Sequence, residues 1–535
     1  MIIGAYPDIG KGTLTAASGY LLQQAGFGVT PIKFDGFLNS QSDPFPHYHS
    51  TNHFQYANEE VFGLSDGGSA DNDLGYYERF MDLETSRTHQ LTNGESFAAI
   101  FDREKRGYYP SGEVLNFNHV RDFLKEWVLK HLDISDMVIL EIGGTVGDRE
   151  SAMMFEALQA LRRRRDHFTA VALVAPYFPT TDPQGFSLSA STKLARQSAG
   201  VARKLGLPPD IILMRASDAT AIGANDKKYV SFETGIDPTR IVSCPYLRSP
   251  YQLPRALIKQ GYVSALAELF DRKISVTDGP LEEYCRLLNT ASGVLTVTMP
   301  GKERPSDSQV SLEEALTHAA TSRGVIINRV WLEDLPATGP ASNIDLIGVD
   351  ILLVPDVVAD PRLIFNALRV ARARNLPTLA ISHGADLMVV DFARNVCGRN
   401  EAFIETLEEG QGDLRIRMAD PACGNWSIKL KNESLLSRLY NSQVIIERSW
   451  HCSWASEPLI RLVKERGLIL TGVGPDDTPE TFELLSHPFF VAIKPRPEYK
   501  SRPMRPSALF LGLIDAALTR RAFEESENHT IGISA

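Results

Sequence analysis

Glu141-Ile142-Gly143-Gly144-Thr145-Val146-Gly147-Asp148-Arg149-Glu150-Ser151 follows directly on the apolar, β-branched segment Met137-Val138-Ile139-Leu140. A short apolar run of that kind reads as a buried strand. Where it ends, carboxylates stand beside glycines, whose bare backbone permits close approach. A strand tip of this chemistry suits a metal-bound phosphate. The same letters also fit an ordinary glycine turn, and two other segments bear on the choice.

The first, Gly4-Ala5-Tyr6-Pro7-Asp8-Ile9-Gly10-Lys11-Gly12-Thr13, precedes a helical pattern carried by Leu14, Ala17, Leu21 and Leu22. Glycines let backbone N–H groups close on phosphate oxygens, a helix N-terminus adds positive potential, and Lys11 supplies a point charge. The segment is a variant phosphate-binding loop, one residue longer than the usual Walker spacing. The second is Lys33-Phe34-Asp35-Gly36-Phe37-Leu38-Asn39, after the strand-like Val29-Thr30-Pro31-Ile32. Lys33 there is either a second phosphate ligand or a solvated surface charge.

Working outward, strand-like runs alternate with helical patterns from residue 1 to about 265: Ala170 to Val174, a helix through Leu194 to Leu205, then Ile211 to Met214. That alternation predicts an α/β unit with a parallel sheet, whose ligands gather at the carboxyl ends of the strands. A connector with Pro280 and the amphipathic Leu281-Glu282-Glu283-Tyr284 spans 266–290. A second α/β unit is expected over 291–522, with strands at Gly293 to Val297, Val325 to Ile327, Asp350 to Val354, Thr378 to Ile381 and Phe489 to Ile493, before a polar tail at 523–535. A chain of 535 residues has room for two such cores without disulfide or metal staples.

A net charge of −11 argues against a general nucleic-acid binder, which needs a basic face. The run Arg162 to Arg165 reads as the favourably charged end of a helix starting near Ser151. Cys244, Cys285, Cys397, Cys423 and Cys452 show neither metal-ligand spacing nor scaffold density, which fits a reducing cytoplasm. No signal peptide or long apolar stretch is evident, so membrane spanning is not expected.

Order and spacing then point to a family. Gly10-Lys11-Gly12, Lys33-x-Asp35, Asp71-Asn72-Asp73-Leu74-Gly75-Tyr76-Tyr77-Glu78-Arg79-Phe80, Arg106-Gly107 and Glu141 to Ser151 together resemble the synthetase domain of the CTP synthase family. The resemblance continues through Pro209-Asp210-Ile211, Arg215, Asn225 with Lys228, and Tyr251-Gln252-Leu253-Pro254, and the second half resembles that family's class I glutamine amidotransferase domain. It implies a homotetrameric cytoplasmic ligase that phosphorylates O4 of UTP with ATP and lets ammonia displace the phosphate. By motif, Lys11 and Lys33 would act on the ATP phosphates, with Asp8, Gly10, Gly12 and Thr13 completing the nucleotide site, while Asp73 and Glu141 would bind Mg2+. Family members carry a full first strand before the phosphate loop, whereas Met1, Ile2 and Ile3 alone precede Gly4 here. This implies either a very short strand or a start lying downstream of the real one.

The acceptor side departs from the family pattern. The segment 40–59 is longer and rich in His and aromatic residues, suggesting a substrate-facing lid or a plain surface loop. The family's phosphate-reading run appears as Ser191-Thr192-Lys193-Leu194-Ala195-Arg196, with extra residues before it, Thr180 to Gly185 among them. Asp148 and Glu150 remain of an acidic pair near the pyrimidine, but Arg149 stands between them. The resemblance therefore implies a nucleotide site including Asp148, Arg149, Glu150, Thr192, Lys193, Arg196 and Lys228, and leaves open whether the acceptor is UTP or a related nucleotide.

The amidotransferase half departs further. The family's nucleophilic cysteine, in a strand-to-helix elbow, is replaced by Ser382, its catalytic histidine by Arg496, and only Glu498 of the triad remains. A serine without a base is a weak nucleophile, and arginine cannot serve as that base. Adjacent His383 faces away on such a turn. The glycine-rich oxyanion loop is replaced by Pro355-Asp356-Val357-Val358-Ala359, which opposes an anionic intermediate. These changes imply a pseudo-glutaminase and a nitrogen supply from free ammonia or another amine. Two further readings stay open: a nucleotide-binding paralogue that assembles with or regulates a CTP synthase, and a kinase-like enzyme that stops at phosphorylation.

Overall fold

The computed structural model of the chain describes residues 1–39, 61–164, 168–178, 191–216, 222–276, 279–300, 309–335, 337–338, 343–356, 360–408 and 410–533. The enlarged segment 40–59, Thr180 to Gly185 and Val357 to Ala359 lie outside the described residues. The chain divides into two compact units, one of Met1–Asp43 with Asp73–Cys285 and one of Pro44–Asn72 with Arg286–Ala535.

In the first unit the strands are β1 (Ile2–Gly4), β2 (Val29–Asp35), β3 (Gln90–Thr92), β4 (Met137–Ile142), β5 (Ala172–Tyr177), β6 (Ile211–Ala216) and β7 (Ile241–Cys244). Among the described residues they form one sheet in the order β3-β2-β4-β1-β5-β6-β7, every pairing parallel. The helices that matter for the site are α1 (Lys11–Gln24), α2 (Asn72–Met81), α3 (Phe117–Leu132), α4 (Ala152–Arg162), α5 (Lys193–Lys204) and α6 (Ala224–Thr234). Phe34, Leu140 and Ile142 of the sheet share a buried core with Leu124 and Val128 of α3 and with Met154 and Leu158 of α4. Each such side chain contributes about 1.5 to 3 kcal/mol by leaving water, so the strand tips sit on a rigid base.

β1 is central yet short. Its Ile2 pairs with Glu141 of β4, and Ile2 to Gly4 pair with Ala172 to Val174 of β5. On its N-terminal side a cavity of about 500 Å3 lies between β4 and β5, lined in part by Met1, Val138, Leu140, Phe168 and Val171.

In the second unit the strands are β8 (Gly293–Met299), β9 (Val325–Trp331), β10 (Ile351–Val354), β11 (Thr378–Ile381), β12 (Phe403–Ile404), β13 (Arg415–Leu430), β14 (Val444–Ala455), β15 (Leu468–Val473), β16 (Pro479–Leu484) and β17 (Phe490–Ile493). The described strands run β9-β8-β10-β11-β17-β16-β15-β13-β12, with β14 on β13. The half from β9 to β17 is parallel, and β16, β15, β13 and β14 extend it in antiparallel fashion. Helix α7 (His383–Asn395) follows β11, and α8 (Ala508–Ile533) closes the chain, running through the segment expected as a polar tail. A hairpin of Val61–Gly63 and Ser69–Asp71 belongs to this unit too. Arg448 Nη1 donates to Gly63 O (2.5 Å), Tyr499 Oη to Val61 O (3.0 Å) and Asn425 N to Ser65 O (2.8 Å). No helix among the described residues is long and apolar enough to cross a membrane.

Candidate active sites

Register builds the first site. Lys33 of β2 is the direct partner of Glu141 on β4; neighbours in parallel register project to the same face of a sheet, so ammonium and carboxylate stand side by side. Both are buried. Helix α2 brings Asp73 in its first turn, where the helix dipole favours an acid, and Asp73 Oδ2 accepts from Lys33 Nζ at 2.5 Å. Four residues further along α2, the buried Tyr77 hydroxyl donates to Glu141 Oε2. Burial first, and then the Asp73 charge, push Glu141 up to about 8 against the opposing pull of Lys33 and Lys11.

The phosphate loop leads into α1. Asp8 (φ 51) and Gly10 (φ 83) adopt left-handed backbone; that conformation suits glycine at Gly10, the N-cap of the helix. A β-carbon at Gly10 would lie 3.2 Å from the Arg215 guanidinium carbon, so this arginine at the tip of β6 flanks the loop. Gly12 is needed for another reason: a β-carbon there would stand 2.9 Å from Asp73 Cβ, with the carboxyl group closer still. Lys11 is buried, its Nζ lying 3.2 Å from where a Gly4 β-carbon would project. Lys11, Lys33, Asp73, Glu141 and the loop glycines thus lie close together, and Tyr77, which the sequence did not single out, joins them. Its signal was the i, i+4 spacing from Asp73, which places both on one helix face.

Among the described residues no three His, Cys, Asp or Glu side chains gather as a metal cage. Two carboxylates beside a phosphate loop fit instead a hard divalent cation that completes its shell with phosphate oxygens and water.

The acceptor candidates fall in two places. Asp148 Oδ2 accepts from Thr145 N at 2.6 Å and thereby braces the loop after β4, whereas Arg149 and Glu150 are exposed. Thr192 is buried at the start of α5, Lys193 and Lys228 are exposed, and Arg196 ion-pairs with Glu233 of α6 at 3.5 Å while covering the Tyr229 ring.

The second unit contains a strand-to-helix elbow. Ser382, between β11 and α7, has φ 56 and ψ −117, a strained conformation for a residue with a side chain. Gly384 is obligatory next to it, since a β-carbon would lie 2.8 Å from Val354 C and nearer to its oxygen. The nucleophile's backbone geometry is therefore present, with serine in place. His383 Nδ1 turns towards Asp386, 3.8 Å away. Arg496 ion-pairs with Asp356, just after β10, and lies 3.9 Å from Glu498. Beneath the elbow the buried Lys494 Nζ donates to Asp386 Oδ2 (2.7 Å), Ser453 Oγ (2.9 Å) and Ser382 O (3.3 Å). Burial opposes the Asp386 charge, but Lys494 and His383 together outweigh it and hold the carboxyl below its usual range. His451, hydrogen-bonded to Ser449 (2.8 Å) and 3.4 Å from Glu480, is kept neutral, chiefly by burial. All three are buried, so this Ser-His-Glu series is structural.

A parallel-sheet unit with a phosphate loop and paired carboxylates, followed by a unit with a nucleophile-type elbow, defines the class of two-part synthetases joined to an amidotransferase fold. The model for the CTP synthase N-terminus matches residues 1–271, and that for class I glutamine amidotransferase matches 305–516. The chain belongs to the CTP synthase family. It is 31% identical to the CTP synthase of Thermococcus kodakarensis over 97% of this chain and 98% of the relative, and 30% identical to that of Pyrococcus furiosus over 98% of both. Among solved structures, the glutaminase domain of Trypanosoma brucei CTPS with bound acivicin is similar at 23% identity and TM-score 0.38, covering 42% of this chain and 94% of that one.

Proposed function

We propose that the protein is an ATP- and Mg2+-dependent carbon–nitrogen ligase that aminates UTP or a related pyrimidine nucleotide, drawing on ammonia or another amine rather than on its own glutaminase. The observation that carries the ligase reading is the convergence of Lys33, Asp73 and Glu141 on one strand tip beside the Gly10-Lys11-Gly12 loop. Lys11 and Lys33 hold and neutralise phosphate oxygens, and the N-terminus of α1 adds backbone donors. Asp73 and Glu141 would hold Mg2+, which supplies charge neutralisation across the phosphates when bound. The acceptor carbonyl oxygen takes the phosphoryl group, and ammonia then displaces phosphate from the carbon.

For nitrogen supply, the supporting observation is the ion pair between Arg496 and Asp356. The two substitutions compensate each other electrostatically, leaving a permanent cation where a base must cycle a proton and an anion in the loop that must stabilise one. The test is product formation by the purified full chain from ATP and Mg2+, with ammonium or glutamine crossed against UTP, UDP and UMP. Amination with ammonium and none with glutamine is expected. Glutamate release matching product formation refutes the nitrogen-source reading, and no amination of any nucleotide with ammonium refutes the ligase reading.

A further inference from the structure

Helix α2 presents Asp73 and Tyr77 one turn apart, and the two side chains reach different partners in one site, Asp73 the Lys33 ammonium and Tyr77 the Glu141 carboxylate. Asp73 is itself a proposed cation ligand, held by Lys33 at 2.5 Å, while Tyr77 donates its hydroxyl to Glu141, the other ligand. Tyr77 is fully buried and Glu141 nearly so. The phenol thus cannot be replaced by solvent as a donor, and its hydrogen bond occupies Oε2 on the helix side of the carboxylate. Outer partners that orient a ligating carboxylate typically govern metal affinity by 10- to 100-fold.

We infer that Tyr77 is a positioning residue: its hydroxyl fixes the Glu141 carboxylate so that its remaining lone pairs face the cation shared with Asp73, and α2 sets the separation of the two ligands as one rigid piece. The inference rests on the reading of Asp73 and Glu141 as cation ligands. It assigns Tyr77 no contact with nucleotide or cation. Phenylalanine at 77 keeps the ring that fills the core and removes one oxygen, so the loss falls on Glu141 orientation.

The test is Mn2+ binding to the full chain with a non-hydrolysable ATP analogue, followed by electron paramagnetic resonance of the free ion, for the unaltered protein, Y77F, E141Q and Y77F/E141Q. Y77F is expected to weaken Mn2+ binding 10- to 100-fold while nucleotide binding without metal changes less than twofold. In the E141Q background Y77F should have little further effect, which a merely structural role of the tyrosine would not produce. Should Y77F prove unfolded by its melting curve, Tyr77→Met loses the same hydroxyl and is read identically. Mn2+ affinity within twofold of the unaltered protein in the folded Tyr77 variant, alongside a large loss in E141Q, overturns the inference alone. Unchanged affinity in E141Q overturns the ligand reading beneath it.

Discussion

Gly12→Ala tests the geometry of the phosphate site with a single methyl group. Gly12 does not occupy left-handed backbone, so alanine is permitted by the main chain, and in a first helical turn it carries no propensity penalty. The methyl instead meets Asp73: 2.9 Å from its β-carbon and nearer to its carboxyl group, distances that real β-carbons do not adopt. The Asp73 side chain must swing out, breaking its 2.5 Å bond with Lys33 and withdrawing one of two carboxylates from the proposed cation site. A charge-assisted hydrogen bond of this kind is worth about 1.5 to 3 kcal/mol, so Mg·ATP binding should weaken about 10- to 150-fold. Calorimetric titration of a non-hydrolysable ATP analogue across Mg2+ concentrations measures it. If the clash acts through the Asp73 side chain, G12A/D73G, which also removes the β-carbon 2.9 Å away, is no weaker than D73G, because residues acting as a unit are not additive. Binding by G12A within twofold of the unaltered chain refutes the packing argument; a double variant weaker than D73G by the full G12A penalty refutes its route through Asp73.

Two further predictions concern the second unit, which holds Trp331, Trp426, Trp450 and Trp454, every tryptophan but Trp127, so that tryptophan fluorescence reports mainly on it. Asp386→Asn strips the buried Lys494 of its counter-charge and should cost about 3 to 5 kcal/mol in urea unfolding, whereas D386L/K494M, which removes both charges, should recover most of that; equal losses would defeat the reading of the pair. Glu447 is buried among Tyr440, Arg448, Lys500 and Arg505, and burial raises its pKa from 4.5 to about 7. The folded chain then keeps a proton that the unfolded chain has already released. Its contribution therefore falls by about 3 kcal/mol as pH rises from 4.5 to about 7 and is flat above. Glu447→Gln should remove that slope, and an unchanged pH profile would show that Glu447 does not titrate there.

The sequence by itself determined the local chemistry. Apolar runs at 137–140 and 211–214 predicted strands that extend to Ile142 and Ala216, because a buried strand in a parallel sheet is apolar on both faces. Thr378 to Ile381 was legible for the same reason, and so was the glycine-rich loop that leads into α1. The antiparallel strands β13, β14 and β16 were not, since Arg417, Lys429, Glu447, Arg448 and Glu480 interrupt them. One-face exposure, or a buried charge satisfied by a distant partner, erases the apolar signal that a local reading needs. The proximity of Gly12 to Asp73, the bond from Tyr77 to Glu141 and the pairing of Arg496 with Asp356 were decided by tertiary structure alone. Each joins residues remote in the chain or on separate elements, and sheet register and helix placement, not residue type, bring such atoms together.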